Sequence, residues 1–237
     1  MSAALPLTQP IAIFFDLDGT LIDSAPDLGA AADKMRIARG LPSLPDALYR
    51  PMAGAGARGM LKVAFDMTPD HADFAAMREE FFANYEASIG AADARTFAFA
   101  GIDDMLRGLE ARGILWGIVT NKSKRFTDPL VALMPVLQGC CAVVSGDTTP
   151  HAKPHPAPLL EAWRLASQSA HGLQPSDCWY LGDDKRDIEA GRAAGMSTIA
   201  VTWGYEGEHE LATWNADHVL TEPSELIALL NTLKRNV

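Results

Sequence analysis

Short runs of consecutive apolar residues constrain this chain more than any other feature. They lie at 11–15, 114–119, 142–144, 179–181 and 198–201, they end in polar turns containing Gly or Asp, and helical patterns follow them. A strand with one solvated face would alternate apolar and polar side chains, whereas apolar residues at successive positions need cover on both faces. Strands of this kind, separated by helical segments, predict an α/β fold with a parallel sheet core and helices on both faces. Ile102, Met105, Leu106 and Leu109 recur at helical spacing, with Gly113 as a C-terminal stop. Further helices are expected over 158–170, 188–194 and 224–234. With 237 residues, 48% of them hydrophobic, the chain has room for one such core and an insertion.

The stretch 24–96 breaks the rhythm. It has helical periodicity and no convincing strand, and Phe74, Met77, Phe81, Tyr85 and Ser88 fall on one face. It is expected to be an all-helical cap inserted over the C-terminal edge of the sheet. The chain then divides into a core of 1–23 and 97–237 and a cap of 24–96.

Thirty acidic against twenty basic residues give a net charge of −10, which repels a phosphate backbone and argues against nucleic-acid binding. Three cysteines, with Cys140 and Cys141 adjacent, cannot build a disulfide framework. The first residues resemble no secretory signal, and no window approaches the roughly eighteen apolar residues of a spanning helix. The expectation is a cytoplasmic monomer or homodimer that engages neither nucleic acid nor membrane.

The first apolar run ends in Phe14-Phe15-Asp16-Leu17-Asp18-Gly19-Thr20-Leu21. Asp16 and Asp18 therefore sit at a strand end, where an open parallel sheet presents its ligand crevice, and in strand-like geometry they point the same way. Two carboxylates that close repel unless a cation or a shared proton intervenes, so either a bound Mg²⁺ or a proton is implied.

This segment resembles the first motif of the haloacid dehalogenase-like hydrolase superfamily, Asp-x-Asp-x-Thr after a hydrophobic strand. The other three motifs of that family have matches in order. Thr120 ends the run Ile118-Val119-Thr120-Asn121-Lys122, Lys153 opens Lys153-Pro154-His155-Pro156, and Leu181-Gly182-Asp183-Asp184-Lys185-Arg186-Asp187 supplies the acidic fourth. The resemblance implies a Rossmann-like core and an Mg²⁺-dependent phosphatase acting on a small phosphorylated metabolite. Carried over residue by residue, it makes Asp16 the nucleophile that accepts the phosphoryl group and Asp18 the acid and base for leaving group and water. Thr120, Asn121 and Lys153 would hold the phosphoryl oxygens. Asp16, the backbone carbonyl of Asp18, and Asp183 would ligate the metal, and Asp187 would act through water or by orienting Lys153. Phosphoryl transfer needs such a set: an in-line nucleophile, a cation on the non-bridging oxygens, donors for the remaining charge and a proton for the leaving group.

Finer likenesses lie in Ala38-Arg39-Gly40-Leu41-Pro42, Gly56-Ala57-Arg58 and Arg186-Asp187-Ile188-Glu189. They are similar to bacterial phosphoglycolate phosphatases and to N-acetylmuramic acid 6-phosphate phosphatases of cell-wall recycling. Asp18 argues against a dehalogenase, while a sugar phosphomutase shares both Asp18 and the cap. An inactive Mg²⁺-binding module would not need the full set of motif residues.

Gly54-Ala55-Gly56-Ala57-Arg58-Gly59 matches a dinucleotide-binding pattern but lacks a preceding strand, so it is expected to be a cap loop that brings Arg58 to the substrate. His151 and His155 with Cys140 and Cys141 have no zinc-site spacing. Cys178 reads as a packed thiol, and Trp203-Gly204-Tyr205 as packing beside the crevice.

Overall fold

The computed structural model describes residues 8–205 and 211–233. Lys234, the last position of the expected C-terminal helix, lies outside them, as do residues 1–7 of the N-terminal segment. Among the described residues the strands are β1 (Ala12–Phe15), β2 (Ile22–Asp23), β3 (Phe97–Ala98), β4 (Leu115–Val119), β5 (Val143–Val144), β6 (Cys178–Gly182), β7 (Ser197–Val201) and β8 (His218–Leu220). Six of them form a sheet in the order β5-β4-β1-β6-β7-β8, every pair parallel.

The alternation inside β1 explains its apolar run. Ile13 and Phe15 join a core cluster on one face of the sheet, and Ala12 and Phe14 join another on the opposite face. The first face is covered by α5 (Ile102–Glu110), α6 (Lys124–Leu133) and, at the chain's end, α9 (Ser224–Thr232), through Ile102, Met105, Leu106, Leu109, Leu130, Leu226 and Leu230. The second is covered by α7 (Ala157–Ala166) and α8 (Lys185–Ala193), through Leu159, Ala162, Ala166 and Ala190. All four β1 side chains are fully buried, and a Phe or Ile so placed contributes roughly 1.5–3 kcal/mol relative to exposure.

The segment after β2 forms α1 (Ala25–Ala38), α2 (Asp46–Tyr49), α3 (Gly56–Phe65) and α4 (Phe74–Ser88), with a 3₁₀ turn at Arg50–Ala55. These helices have their own apolar cluster, built on Leu28, Met35, Tyr49, Met60, Leu61, Phe81 and Tyr85, which takes in Phe126 and Tyr205 from outside the block. The chain enters and leaves the block through an antiparallel ribbon in which Ile22 pairs with Ala98 and Asp23 with Phe97. Asp27 on α1 clamps the returning strand, accepting from Arg95 N at 2.9 Å, Thr96 N at 2.8 Å and Thr96 Oγ1 at 2.6 Å. No helix among the described residues is long and apolar enough to cross a membrane.

Candidate active site

The sheet order places the motif residues together. The chain runs from β1 outward through β4 and β5, then returns to the far side of β1 for β6, so the connections diverge beside β1 and open a crevice at its C-terminal end. Asp16 follows β1, Thr120 follows β4, Asp183 follows β6, and Lys153 sits in the long loop after β5.

Lys153 is the hub. Its Nζ donates to Asp16 Oδ1 at 2.8 Å, Asp187 Oδ1 at 2.7 Å, Tyr180 OH at 2.7 Å and the Val119 carbonyl at 3.0 Å. Burial alone would lower its pKa, yet Asp16 and Asp187 outweigh that cost and raise it, so the amine stays charged. Asn121 fixes the loop that carries it: the side-chain amide donates to the Lys153 carbonyl at 3.0 Å and accepts from the Lys153 N–H at 2.9 Å. The Asn121 side chain, expected on the substrate, is thus engaged with backbone.

Asp187 is placed by the start of α8. Asp184 caps that helix by accepting from Arg186 N at 2.8 Å, and Asp187 Oδ2 reciprocates by accepting from Asp184 N at 3.1 Å. The cap leaves Asp187 Oδ1 for Lys153. Asp183 accepts from Thr20 Oγ1 at 3.1 Å and from Tyr205 N at 2.9 Å.

One oxygen from each of Asp16, Asp183 and Asp187 lies within 4.8 Å of the others, all three residues being buried. At that spacing each pair of charges repels by about 3–4 kcal/mol at an effective dielectric of about 20, and one lysine cannot offset all of it. Burial pushes the Asp183 carboxyl well above the usual carboxylate range, and Asp16 and Asp187 add to the shift. Burial also pushes Asp187 up to about 7 against the pull of Lys153. The cluster therefore calls for a proton or a divalent cation. Its donors are all oxygens, and Gly19 and Gly204 let the backbone close directly on the Asp183 carboxylate, where a Cβ would collide with it. Such a set fits Mg²⁺. Among the described residues this is the one group of three or more potential ligands, and no His or Cys belongs to it.

The Asp18 carboxylate stands apart from the cluster. Its Oδ1 accepts from Lys122 Nζ at 2.9 Å and from Ser24 Oγ. Ser24 occupies the N-cap position of α1 but makes no side-chain cap bond. The Tyr205 hydroxyl takes over that task, accepting from Ser24 N at 2.9 Å and Ala25 N at 3.1 Å. The Trp203-Gly204-Tyr205 turn therefore joins sheet edge to helical block as well as packing beside the crevice, with Trp203 Nε1 donating to the Thr20 carbonyl at 2.9 Å.

A cavity of ≈ 1070 Å³ lies between sheet edge and helical block, and Asp16, Asp18, Thr120 and Lys153 line it on the sheet side. Thr120 is buried, with Oγ1 accepting from Lys122 N at 3.1 Å. Arg58 lines the opposite wall, exposed at the start of α3 and without a hydrogen-bond or ion-pair partner among the described residues. The glycine-rich stretch around it follows the 3₁₀ turn, not a strand, so the dinucleotide context is absent. Phe74, Phe81 and Tyr85 face the cavity as well as packing within the block.

Two polar side chains at the crevice carry no role in the sequence reading. Tyr180 lies inside an apolar strand, where the need of a buried phenol for a partner was its one signal; its hydroxyl donates to the Val119 carbonyl at 2.8 Å. Lys122 was visible only as the residue two beyond Thr120.

The family model described as haloacid dehalogenase-like hydrolase matches residues 13–201. A phosphoglycolate phosphatase of Xanthomonas campestris pv. campestris (strain 8004) is 42% identical over 218 residues, covering 92% of this chain and 95% of its own. An N-acetylmuramic acid 6-phosphate phosphatase of Pseudomonas aeruginosa is 38% identical over 221 residues, covering 93% and 94%. The crystal structure of a predicted phosphoglycolate phosphatase from Haemophilus somnus 129PT superposes with a TM-score of 0.77 at 25% identity, covering 94% of this chain and 99% of that one.

Proposed function

The chain belongs to the haloacid dehalogenase-like hydrolases and is a phosphatase of that family, and on this premise we propose that it hydrolyses a small phosphomonoester, 2-phosphoglycolate above others, through an aspartyl-phosphate on Asp16. The observation that carries this reading is the Lys153 ammonium held between Asp16 and Asp187 with Asp183 beside them, all at the floor of one cavity.

In this reading an Asp16 oxygen attacks phosphorus while the bond to the leaving oxygen breaks. Asp18 gives that oxygen a proton, then takes one from the water that cleaves the aspartyl-phosphate. Lys153 neutralises phosphoryl charge and keeps Asp16 ionised, and Thr120 donates to a phosphoryl oxygen. Asp187 fixes Lys153 in place, and Asn121 acts on the substrate through the Lys153 loop. Asp16, Asp183 and the backbone carbonyl of Asp18 would hold Mg²⁺, which when bound supplies positive charge to the non-bridging oxygens. Residues 24–96 serve as a cap domain on a core of 1–23 and 97–237; the cap excludes water, and Arg58 reaches the part of the substrate away from phosphorus.

One observation favours a second reading. A cavity of ≈ 1070 Å³ exceeds what glycolate fills and would admit an amino-sugar acid, which supports N-acetylmuramic acid 6-phosphate as the alternative substrate. The test is a comparison of kcat/KM for 2-phosphoglycolate, N-acetylmuramic acid 6-phosphate and p-nitrophenyl phosphate, with Mg²⁺ and with EDTA. Mg²⁺-dependent turnover with 2-phosphoglycolate leading is the expected result. A lead for the amino-sugar phosphate moves the assignment to it, and absence of turnover with all three defeats the phosphatase reading.

A further inference from the structure

Two lysines are buried at the same crevice, and they are satisfied differently. Lys153 has four oxygens within hydrogen-bond distance, enough to engage all three of its N–H donors. Lys122, with 7% of its side chain exposed, makes its one close hydrogen bond among the described residues to Asp18 Oδ1 at 2.9 Å, and otherwise rests over the Tyr85 ring with Nζ 4.8 Å from the centroid and the Tyr85 hydroxyl as its second polar neighbour. An ammonium group carries three donors, so Lys122 retains capacity at the wall of the cavity it lines. Desolvation of a cation is costly unless anions or acceptors complete its shell. Asp18 does not depend on Lys122 alone, because Ser24 donates to the same oxygen. An arriving anion can therefore engage the amine without leaving the Asp18 carboxylate unheld.

The position of that anion follows from the proposed reaction, on which this inference rests. An acid that protonates the leaving oxygen must come within about 3 Å of it, and Lys122 Nζ is hydrogen-bonded to the same Asp18 carboxylate, so the ammonium lies within roughly 8 Å of the leaving oxygen whichever carboxylate oxygen carries the proton. A carboxylate on the carbon bonded to the ester oxygen falls within that reach once its own hydrogen bond is counted. We propose that Lys122 selects the leaving group: its ammonium binds a carboxylate on the carbon that carries the phosphoester, so the preferred substrates are phosphoryloxy carboxylates of the 2-phosphoglycolate type. Arg58, exposed on the opposite wall, then reads whatever extends beyond that carboxylate.

The test compares 2-phosphoglycolate with 2-hydroxyethyl phosphate, which replaces the carboxylate by a neutral hydroxymethyl group of similar size. Wild type is expected to prefer the carboxylate in kcat/KM by about 30-fold, the range of a charge-assisted hydrogen bond. Lys122→Met should bring the ratio to within about threefold of unity, and Lys122→Arg, which keeps the charge, should hold it above about 10. An equal loss on both substrates in Lys122→Met would mean that the lysine serves only Asp18, and would overturn the proposal. So would a wild-type ratio near one, a measurement that does not depend on any variant folding. If wild type hydrolyses neither compound nor p-nitrophenyl phosphate, the phosphatase reading itself fails and takes this inference with it.

Discussion

The sheet edge and the helical block face one cavity with side chains of different standing. On the sheet side, Asp16, Thr120, Lys153, Asp183 and Asp187 are all buried; Asp16, Lys153, Asp183 and Asp187 are bonded across elements of the core, and the Thr120 hydroxyl accepts from Lys122 N in its own loop. On the block side, Arg58 is exposed and unpartnered among the described residues, and Arg78 is exposed, rests against the Phe82 ring and pairs only with its chain neighbour Glu79 at 3.3 Å. Groups that must meet a developing charge gain from being fixed before the reaction, because no reorganisation is then needed. Groups that recognise a variable leaving group gain from freedom. The division assigns chemistry to the sheet edge and selection to the block, with Lys122 at their boundary between Asp18 and Tyr85.

The sharpest way to break that division is to remove the nucleophile. Asp16→Asn should slow turnover about 10⁴-fold or more on every substrate alike. The fold should persist, because Asn can still accept from Lys153 and the substitution takes one charge out of a crowded cluster. Activity within tenfold of wild type, with an unchanged thermal midpoint, would remove Asp16 from its role. Lys153→Met comes next. It should slow turnover by about 10²–10³-fold, as expected for loss of a charge-stabilising donor. Because both ion pairs of Lys153 are buried, it should also cost about 3–5 kcal/mol of stability, read from denaturant unfolding. Near-normal kinetics would show that the sheet edge is less preorganised than its bonding implies.

Much of the sheet edge was legible because its chemistry sits at strand ends. Three of the four motifs follow a run of buried apolar residues directly, so the runs locate the strands and the strands locate Asp16, Thr120 and Asp183. What escaped had no periodicity to read. β2 and β3 are two residues each, and β8, His218–Leu220, is a three-residue edge strand with one fully buried side chain. Asn121 looked like a phosphate ligand from its place after Thr120, and only the tertiary meeting with the Lys153 loop shows where its amide goes. Tyr205 lies 181 positions from the Ser24 N–H that it caps, a contact that no local pattern announces.

Metal and pH probe the sheet edge more gently. Burial raises the folded-state pKa of Asp183 and Asp187 above the unfolded value, so their protonated forms favour the fold. That contribution is fully present below the unfolded pKa of about 4 and is lost as pH rises through the folded values, near 7 for Asp187. In EDTA the thermal midpoint should therefore fall between pH 5 and pH 8, by about 2–4 °C for each kcal/mol lost. Added Mg²⁺ should raise the midpoint more at pH 8 than at pH 5, since a cation and a proton compete for the same carboxylates. A Mg²⁺ effect that is flat with pH would separate metal binding from this cluster.

The smallest expected effect tests the block side. Arg58 has no partner to lose among the described residues and stands in solvent, so Arg58→Met should leave the thermal midpoint within about 1 °C. Screened by water, its charge can contribute only modestly to binding, and KM for an anionic substrate should rise about three- to tenfold while kcat stays within about twofold. That split is the signature of binding shared equally by ground and transition states, which is what a selecting residue away from phosphorus supplies. If turnover instead slowed by about two orders of magnitude or more, Arg58 would belong among the groups that meet the developing charge, and the separation of labour between sheet edge and helical block would have to be redrawn.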